Sequence, residues 1–540
     1  MKKIAALALL LAIAAAAAWQ FLPRPADHLY YADYLPAETV AALSLFDLKG
    51  MAETFPKSAP GRFFSKPVMR DILAGQGADE EAIRRYEALH DSLAGILANP
   101  FFQLLFGDDV AFALLPPDPA LLKTDPAQAL RDALVAFGSS PAASVIGGIA
   151  SIVSSDFSQE TVNGLRLTRL RLEDGGFLYG CGKDGALLLA FNPERIAAAL
   201  EQRAAGGGLR AQPFFLAAKK FWQEETAGRS LLHFSLSTER LRPLLAALGL
   251  NEAHSVAARL ESLSGLIAQR QDGLKCSLRA AHSLKAKREA AGGWQKNLAL
   301  LTETAPLYLW TSALDRQAAE TLRQELGLFF DELTAAAGPQ AGLAISGIAS
   351  AGFFPLPKLT LFLQMRQPET ASLLTEQLRR RISRQVFAKE QTAETGGQTI
   401  HYWRLLPAEA AQPAVALTGD MLYIANGPAG LKALLAEDQT VLPQAAHDSL
   451  GPELADQLAD ASLLTFAARP AMLAAEARKA ENWLTAVFIK MNVNVSDRLR
   501  EEMLLLMQEA ELAAAWADIN GQELDASFFL RAASGVEMKK

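Results

Sequence analysis

The chain has 540 residues, half of them hydrophobic and 21% charged, with a formal net charge of −7. That length exceeds one ordinary domain, and that balance excludes a disordered chain, which needs low hydrophobicity and high net charge. The acidic excess excludes a nucleic-acid binder with a basic face, and two cysteines exclude a disulfide framework or a four-cysteine zinc site.

Met1-Lys2-Lys3 is a short basic start, and Ile4 to Leu22 follows without a charge. As a helix, residues 4–22 would span about 28 Å, close to a bilayer core of about 30 Å. Residues 1–24 are therefore expected to export the chain, either as an uncleaved anchor or as a signal peptide cut after the small residues of Ala14 to Ala18. Lys2 and Lys3 stay in the cytoplasm in either case, which puts the body on the periplasmic side of the inner membrane, tethered or released.

After this segment the chain reads as two copies of one pattern. Thr39 to Leu48 leads into a helix through Phe55, and Pro306 to Leu314 leads into one through Leu322. Gly185 to Asn192 matches Gly419 to Asn426, each before an Ala/Leu helix (Ile196 to Leu200, Leu431 to Leu435). Ser230 to Leu241 matches Ser462 to Leu473, and two hairpins close the copies at Leu266 to Ala280 and Ala513 to Ala532. Asp272-Gly273 and Asn520-Gly521 are the Asx-Gly pairs that type I′ turns favour. The four matches keep one order, and the copies divide near residue 290. Strands are expected at Val110 to Leu115, Leu165 to Leu172, Gly176 to Tyr179, Ala186 to Phe191 and Leu231 to Leu236. The second copy has them at Leu359 to Met365, Thr399 to Leu405, Val415 to Leu417, Met421 to Ala425 and Leu463 to Phe466. Amphipathic helices are expected at Glu80 to Leu97, Ala371 to Val386 and Asp497 to Glu511. Tight turns between neighbouring strands require antiparallel pairing. The fold class is thus α+β: an export helix, then tandem domains 25–290 and 291–540, each an antiparallel sheet with helices on one face.

Three stretches carry a resemblance. Leu35-Pro-Ala-Glu-Thr-Val40 runs through a strand to Asp47-Leu48. Phe106-Gly-Asp-Asp-Val-Ala-Phe112 is a Gly-Asp pair leading into a strand. Asp184-Gly185 through Leu200 is a strand followed by a helix. Together they resemble the bacterial envelope proteins grouped as domain of unknown function thirty-three-fifty-two. The second copy departs from that pattern, since Pro306 stands where the Leu-Pro-x-x-Thr opening would be. The resemblance implies location and fold type, and it brings no catalytic residue.

The chemistry-bearing residues are expected to be structural. Gly180-Cys-Gly-Lys-Asp-Gly185 spells a dinucleotide fingerprint, but a strand follows it where that site needs a helix. None of the seven histidines stands three or four residues from another, so no helix presents a metal-binding pair. His233 and His401 fall in strands. Ser346, in an Ile-Ser-Gly-Ile-Ala-Ser run like that near Gly148 to Ser151, reads as a close backbone contact. The adjacent carboxylates Asp108-Asp109 and Glu80-Glu81 do not face one another. Arg379-Arg-Arg381 with Arg384 ends a helix, where cations complement the dipole. Cys181 and Cys276 lie in strands and could pair only if their Cα atoms came within about 7 Å. No catalytic, cofactor or metal residue is assigned. The expected function is a non-enzymatic binding or scaffold protein of the envelope, with the membrane reached through residues 4–22 and a protein, lipid or wall component as partner. The alternatives are a hydrolase whose site forms only in three dimensions and a lipid carrier.

Overall fold

A computed structural model describes residues 28–99, 109–139, 157–172, 175–250, 258–282, 306–312, 337–351, 354–385, 388–405, 408–436, 450–480 and 496–533, with positions 102, 103, 106 and 253. The export segment 1–24, Asp108, Gly148 to Ser151, the boundary near 290 and the helix through Leu322 lie outside the described residues. The protein mixes helices with antiparallel sheet. It forms two compact units: residues 1–66, 79–271 and 276–284, and residues 67–78, 272–275 and 285–540.

The first unit contains β1 (Ala41–Phe46), β2 (Asp109–Leu114), β3 (Leu134–Ser139), β4 (Phe157–Val162), β5 (Leu165–Arg171), β6 (Phe177–Lys183), β7 (Ala186–Ala190), β8 (Arg229–Ser237), β9 (Leu260–Gln269) and most of β10 (Leu274–His282). Its strands lie in the order β10-β9-β8-β1-β2-β3-β7-β6-β5-β4. The helices in chain order are α1 (Leu48–Thr54), α2 (Ala59–Phe63), α3 (Lys66–Gly75), α4 (Glu80–Ala98), α5 (Pro119–Thr124), α6 (Pro126–Ala133), α7 (Pro193–Ala205), α8 (Pro213–Glu225) and α9 (Thr238–Ala247); nearly all of α3 belongs to the second unit.

Alternation along the strands builds this unit's layers. Ala186, Leu188 and Ala190 of β7 pack with Ile196 of α7, Phe215 and Trp222 of α8, and a 3-10 turn at Tyr30–Asp33. Leu187 and Leu189, on the opposite face, pack with Leu48 of α1, Leu97 of α4 and Phe106. The expectation of helices on one face is therefore corrected, because β7 is apolar at consecutive positions and both its sides are covered.

The second unit contains β11 (Leu307–Thr311), β12 (Ala337–Ala351), β13 (Phe354–Met365), β14 (Glu390–Thr395), β15 (Gln398–Trp403), β16 (Ala414–Thr418), β17 (Met421–Ala425), β18 (Leu464–Ala468), β19 (Ala510–Asn520) and β20 (Glu523–Ala532). The order is β20-β19-β18-β11-β12-β13-β17-β16-β15-β14. Its further helices are α10 (Pro368–Gln385), α11 (Pro428–Ala436), α12 (Pro452–Asp460), α13 (Pro470–Lys479) and α14 (Asp497–Gln508). Here too both faces are covered. Phe362, Ala416 and Tyr423 pack with α11 and α12, and Leu363, Val415 and Leu422 with Ala371 and Leu378 of α10.

The turns follow backbone chemistry closely. Asn163-Gly164 joins β4 to β5 with φ of 50° and 76°, and Asp184-Gly185 joins β6 to β7 with 52° and 78°. Positive φ at both central residues makes these type I′ turns. The expected type I′ turns at the closing hairpins are corrected. Asn520 pairs with Glu523, so the turn is Gly521-Gln522, and only Gly521 has positive φ (64°). That is a type II′ turn. Neither Asp272 nor Gly273 has positive φ.

The conspicuous opening motif is structural. Thr39 Oγ donates to the Pro36 carbonyl at 2.7 Å and locks the turn before β1. Asp47 caps α1 by accepting from the Gly50 N–H at 3.2 Å, and it pairs with Arg229. Such a cap is worth about 1 kcal/mol.

Candidate functional site

Three central strands of the first unit carry a polar layer inside an apolar one. Ser44 of β1 stands opposite His233 of β8 and Ala111 of β2. Ala42 stands opposite Ser235, and Phe46 opposite Asp109. Ser44, Ser235, Asp109 and Tyr30 are all buried. The Ser44 and Ser235 hydroxyls, the Tyr30 hydroxyl and His233 Nδ1 have no hydrogen-bond partner. Burial, and next the charge of Asp109, push the Tyr30 hydroxyl far above the usual phenol range. It stays protonated.

His233 is held by rings. Trp222 stacks on it at 4.8 Å with planes 9° apart, and Phe46 meets it edge-on at 4.8 Å. Trp222 is itself fixed, its indole N–H donating to the Gly265 carbonyl at 3.0 Å. Nε2 of His233 lies 3.1 Å from the Ser230 hydroxyl. Residues three apart on a regular strand point to opposite faces. The β8–β9 register shifts between Ser230 and Leu232, and that bulge turns Ser230 back toward His233.

This contact is the pair that a Ser-His nucleophile needs, yet the rest of the set does not follow. Nδ1 lacks the carboxylate that would orient the ring. Asp109 sits on β2, two strands from β8, which at about 4.8 Å per strand is about 10 Å away. Its carboxylate instead lies 3.6 Å from His28 Nδ1. Burial, with a smaller repulsion from His28, lowers the His233 pKa from 6.5 to about 4. The ring is neutral at pH 7 and shares one hydrogen bond with the Ser230 hydroxyl.

A pH dependence follows. The folded pKa is depressed, so the contribution of His233 is full above 6.5 and is lost as pH falls from 6.5 toward 4. A drop of that size corresponds to at most about 3 kcal/mol. His233→Phe keeps a ring against Trp222 and removes the proton site. Urea unfolding at pH 7 and pH 4.5 should give a smaller stability difference for the variant than for the wild type. Equal differences would refute the assignment.

His401 has a different setting in the second unit. Its Nδ1 lies 2.8 Å from Glu390, which also pairs with Arg379 at 2.7 Å. Arg379 reaches Glu376 at 2.7 Å and Arg380 does so at 2.9 Å. Arg380, then Arg379, hold the Glu376 carboxyl below the usual range. Arg379 and Arg380 of the basic run on α10 are thus paired within the protein, and His401 is one member of their network.

The other flagged residues also meet structural partners. Gly180 to Lys183 lie in β6, and Asp184-Gly185 form its turn. Cys181 and Cys276 are free thiols, half-buried, with pKa values raised by burial. Ser346 sits in β12 at a bulge between Ile345 and Ile348. The Ile348 N–H released there donates to Glu476 at 2.9 Å. Glu80 and Glu81 occupy the first turn of α4, where carboxylates complement the dipole. Among the described residues no group of three or more His, Cys, Asp or Glu side chains could hold a metal ion. Sequence reasoning missed the Ser230–His233 contact, because nothing in Ser-Leu-Leu-His marks the bulge that creates it.

No family model and no curated protein matches the chain. One solved structure, crystal form III of TP0453, is similar over 51% of this chain and 86% of that one, at 9% identity and a TM-score of 0.26. A likeness at that score carries no argument about fold or function.

Proposed function

We propose that this is a non-enzymatic envelope protein, exported by residues 1–24, held at the inner membrane by residues 4–22, and built from two copies of one α+β domain that bind a protein, lipid or wall component. The observation that carries this reading is the strand order. Renumbering β11–β20 as 1–10 gives 10-9-8-1-2-3-7-6-5-4, the order of the first unit. The β7 and β17 strands take the same place, between third and sixth, with the same burial pattern. Aligned on their turns, they are offset by 235 residues, one more than glycine-to-glycine matching implies.

Aligning Ser230 to Leu236 with Ser462 to Ala468 makes the cross-strand pair Ser44–His233 equivalent to Trp310–Thr465. Each pair holds one ring and one small side chain, on opposite strands. Neither the volume nor the chemistry is kept: Trp with Thr is larger than Ser with His, and Thr465 donates to the Leu458 carbonyl at 3.0 Å. Copies that keep the strand order while changing such buried groups need not share one reaction, since function is set by the residues placed on a fold.

The hydrolase reading rests on the Ser230–His233 contact alone. Photo-crosslinking in intact envelopes, followed by affinity recovery of the chain, separates the two. Recovery of a defined protein or wall fragment, unchanged in Ser230→Ala, is the expected result. Covalent labelling of Ser230 by a fluorophosphonate would favour the hydrolase. Recovery of lipid alone, or of nothing, would count against a scaffold.

A further inference from the structure

We infer that the first unit carries a second membrane contact, an interfacial patch formed by residues 48–66 with the outer face of α4, which lies on the anionic bilayer surface beside the tether. This rests on the anchored reading above. Five large apolar side chains stand in the open here: Phe55 and Phe64 at 48% exposure, and Leu89, Leu93 and Ile96 at 59%, 52% and 48%. Leu89, Leu93 and Ile96 are spaced i, i+4, i+7, so they form one stripe on α4. Ile83 is buried against the protein, and Leu97, at the edge of the stripe next to Leu93, packs with Leu48 and Phe106. The two parts are joined: the Tyr86 hydroxyl donates to the Phe64 carbonyl, and Lys66 pairs with Asp91 at 2.7 Å.

Chain length and charge select the occupant. The first described residue, His28, lies beside Phe46 and Asp109, where β1 ends and β2 begins. Six residue steps separate it from Leu22, the end of the apolar run, and they reach at most about 20 Å. Leu48 at the start of α1 and Leu97 at the end of α4 pack at this same end of the sheet, with Leu45 and Val110. The exposed stripe ends one residue from Leu97. A tethered first unit therefore keeps this patch close to the headgroups.

The local charge fits as well. Residues 48–66 hold Lys49, Lys57, Arg62 and Lys66 against one carboxylate, Glu53, while α4 holds Glu80, Glu81, Glu87 and Asp91 against Arg84 and Arg85 and pairs Asp91 with Lys66, so the basic part of the patch is 48–66. Basic side chains near an anionic leaflet are each worth about 1 kcal/mol, and apolar side chains beside them bury into the headgroup boundary. The acidic chain as a whole would be repelled, so the basic 48–66 edge, with Phe55 and Phe64 exposed on it, is suited to approach first.

The test uses the full chain in proteoliposomes of phosphatidylethanolamine and phosphatidylglycerol containing a diazirine-tagged phospholipid. After irradiation, adducts are mapped by peptide mass spectrometry. Adducts are expected on 55–64 and 89–96 as well as on 4–22. The variant F55S/F64S/L93S should lose about fivefold or more of the patch signal relative to 4–22, because exposed apolar residues drive interfacial burial. Its substitutions are at exposed positions, and unchanged circular dichroism checks that it folds. Adducts on 4–22 without the patch overturn this inference and leave the anchor standing. Loss of Met1 with the chain free in solution overturns both. Chain-to-chain crosslinks through 89–96 in place of lipid adducts would assign the stripe to a second copy and refute the lipid contact.

Discussion

Trp310→Ala is expected to destabilise the second unit by about 3–5 kcal/mol, the range for removing a buried aromatic side chain and leaving its cavity. Trp310 is fully buried on the central strand β11, between Gly342 of β12 and Thr465 of β18. Neither neighbour can fill the space. Thr465 is short and committed to the Leu458 carbonyl. Gly342 has no side chain, and a Cβ there would sit 2.0 Å from Phe362 and 2.7 Å from the Leu309 carbonyl oxygen. Hydrogen exchange read on peptides of β11 to β20 should show protection falling by at least two powers of ten, at about 1.4 kcal/mol each. Ser44→Ala at the equivalent place in the first unit is the control. It removes a buried hydroxyl that has no partner, so its expected effect is near zero or slightly stabilising. A loss under about 1 kcal/mol at Trp310, or a larger loss at Ser44, would contradict the tight packing assigned to Trp310 and the unpartnered state of the Ser44 hydroxyl.

How far the fold could be read from the sequence depended on how local its determinants are. Asp184-Gly185 announces a tight turn because its neighbours alternate and glycine tolerates φ of 78°. Strands with apolar runs, such as Ala186 to Ala190, read easily. β14, Glu-Gln-Thr-Ala-Glu-Thr, does not, since its only reason to be a strand is its pairing with β15. Covering of both sheet faces was also hidden. Periodicity reveals that α10 has an apolar stripe, but which side of the sheet that stripe meets depends on the whole connection. The candidate site was less visible still. Trp222, Phe46, Ser230 and His233 come from α8, β1 and β8, and the contact of the last two needs a one-residue bulge. Short-range spacing identified His233 as a strand residue and could go no further.

Placing Arg at Leu10 is expected to abolish export while leaving the fold of the body unchanged. A charged side chain at the centre of residues 4–22 costs about 2.5–3.5 kcal/mol of insertion on translocon scales, more than 50-fold in partition. Among the described residues no helix is long and apolar enough to cross a membrane, so none of them offers a replacement span. Signal or anchor is then decided on the unmutated protein. Retention through alkaline washing with Met1 present is the expected outcome, because Trp19 and Phe21 sit at the outer end of the apolar run and no polar stretch separates that run from the small residues a peptidase would need. Release at high salt, with a new N-terminus near Trp19, would refute the anchor. It would also separate two forces that act together in the tethered protein. The interfacial patch on residues 48–66 is too small to hold the chain through alkaline washing, since a few exposed apolar side chains and basic groups give only reversible binding. Alkali-resistant retention in the F55S/F64S/L93S background would therefore report residues 4–22 alone, and loss of retention in L10R would show that the patch follows the anchor and does not replace it.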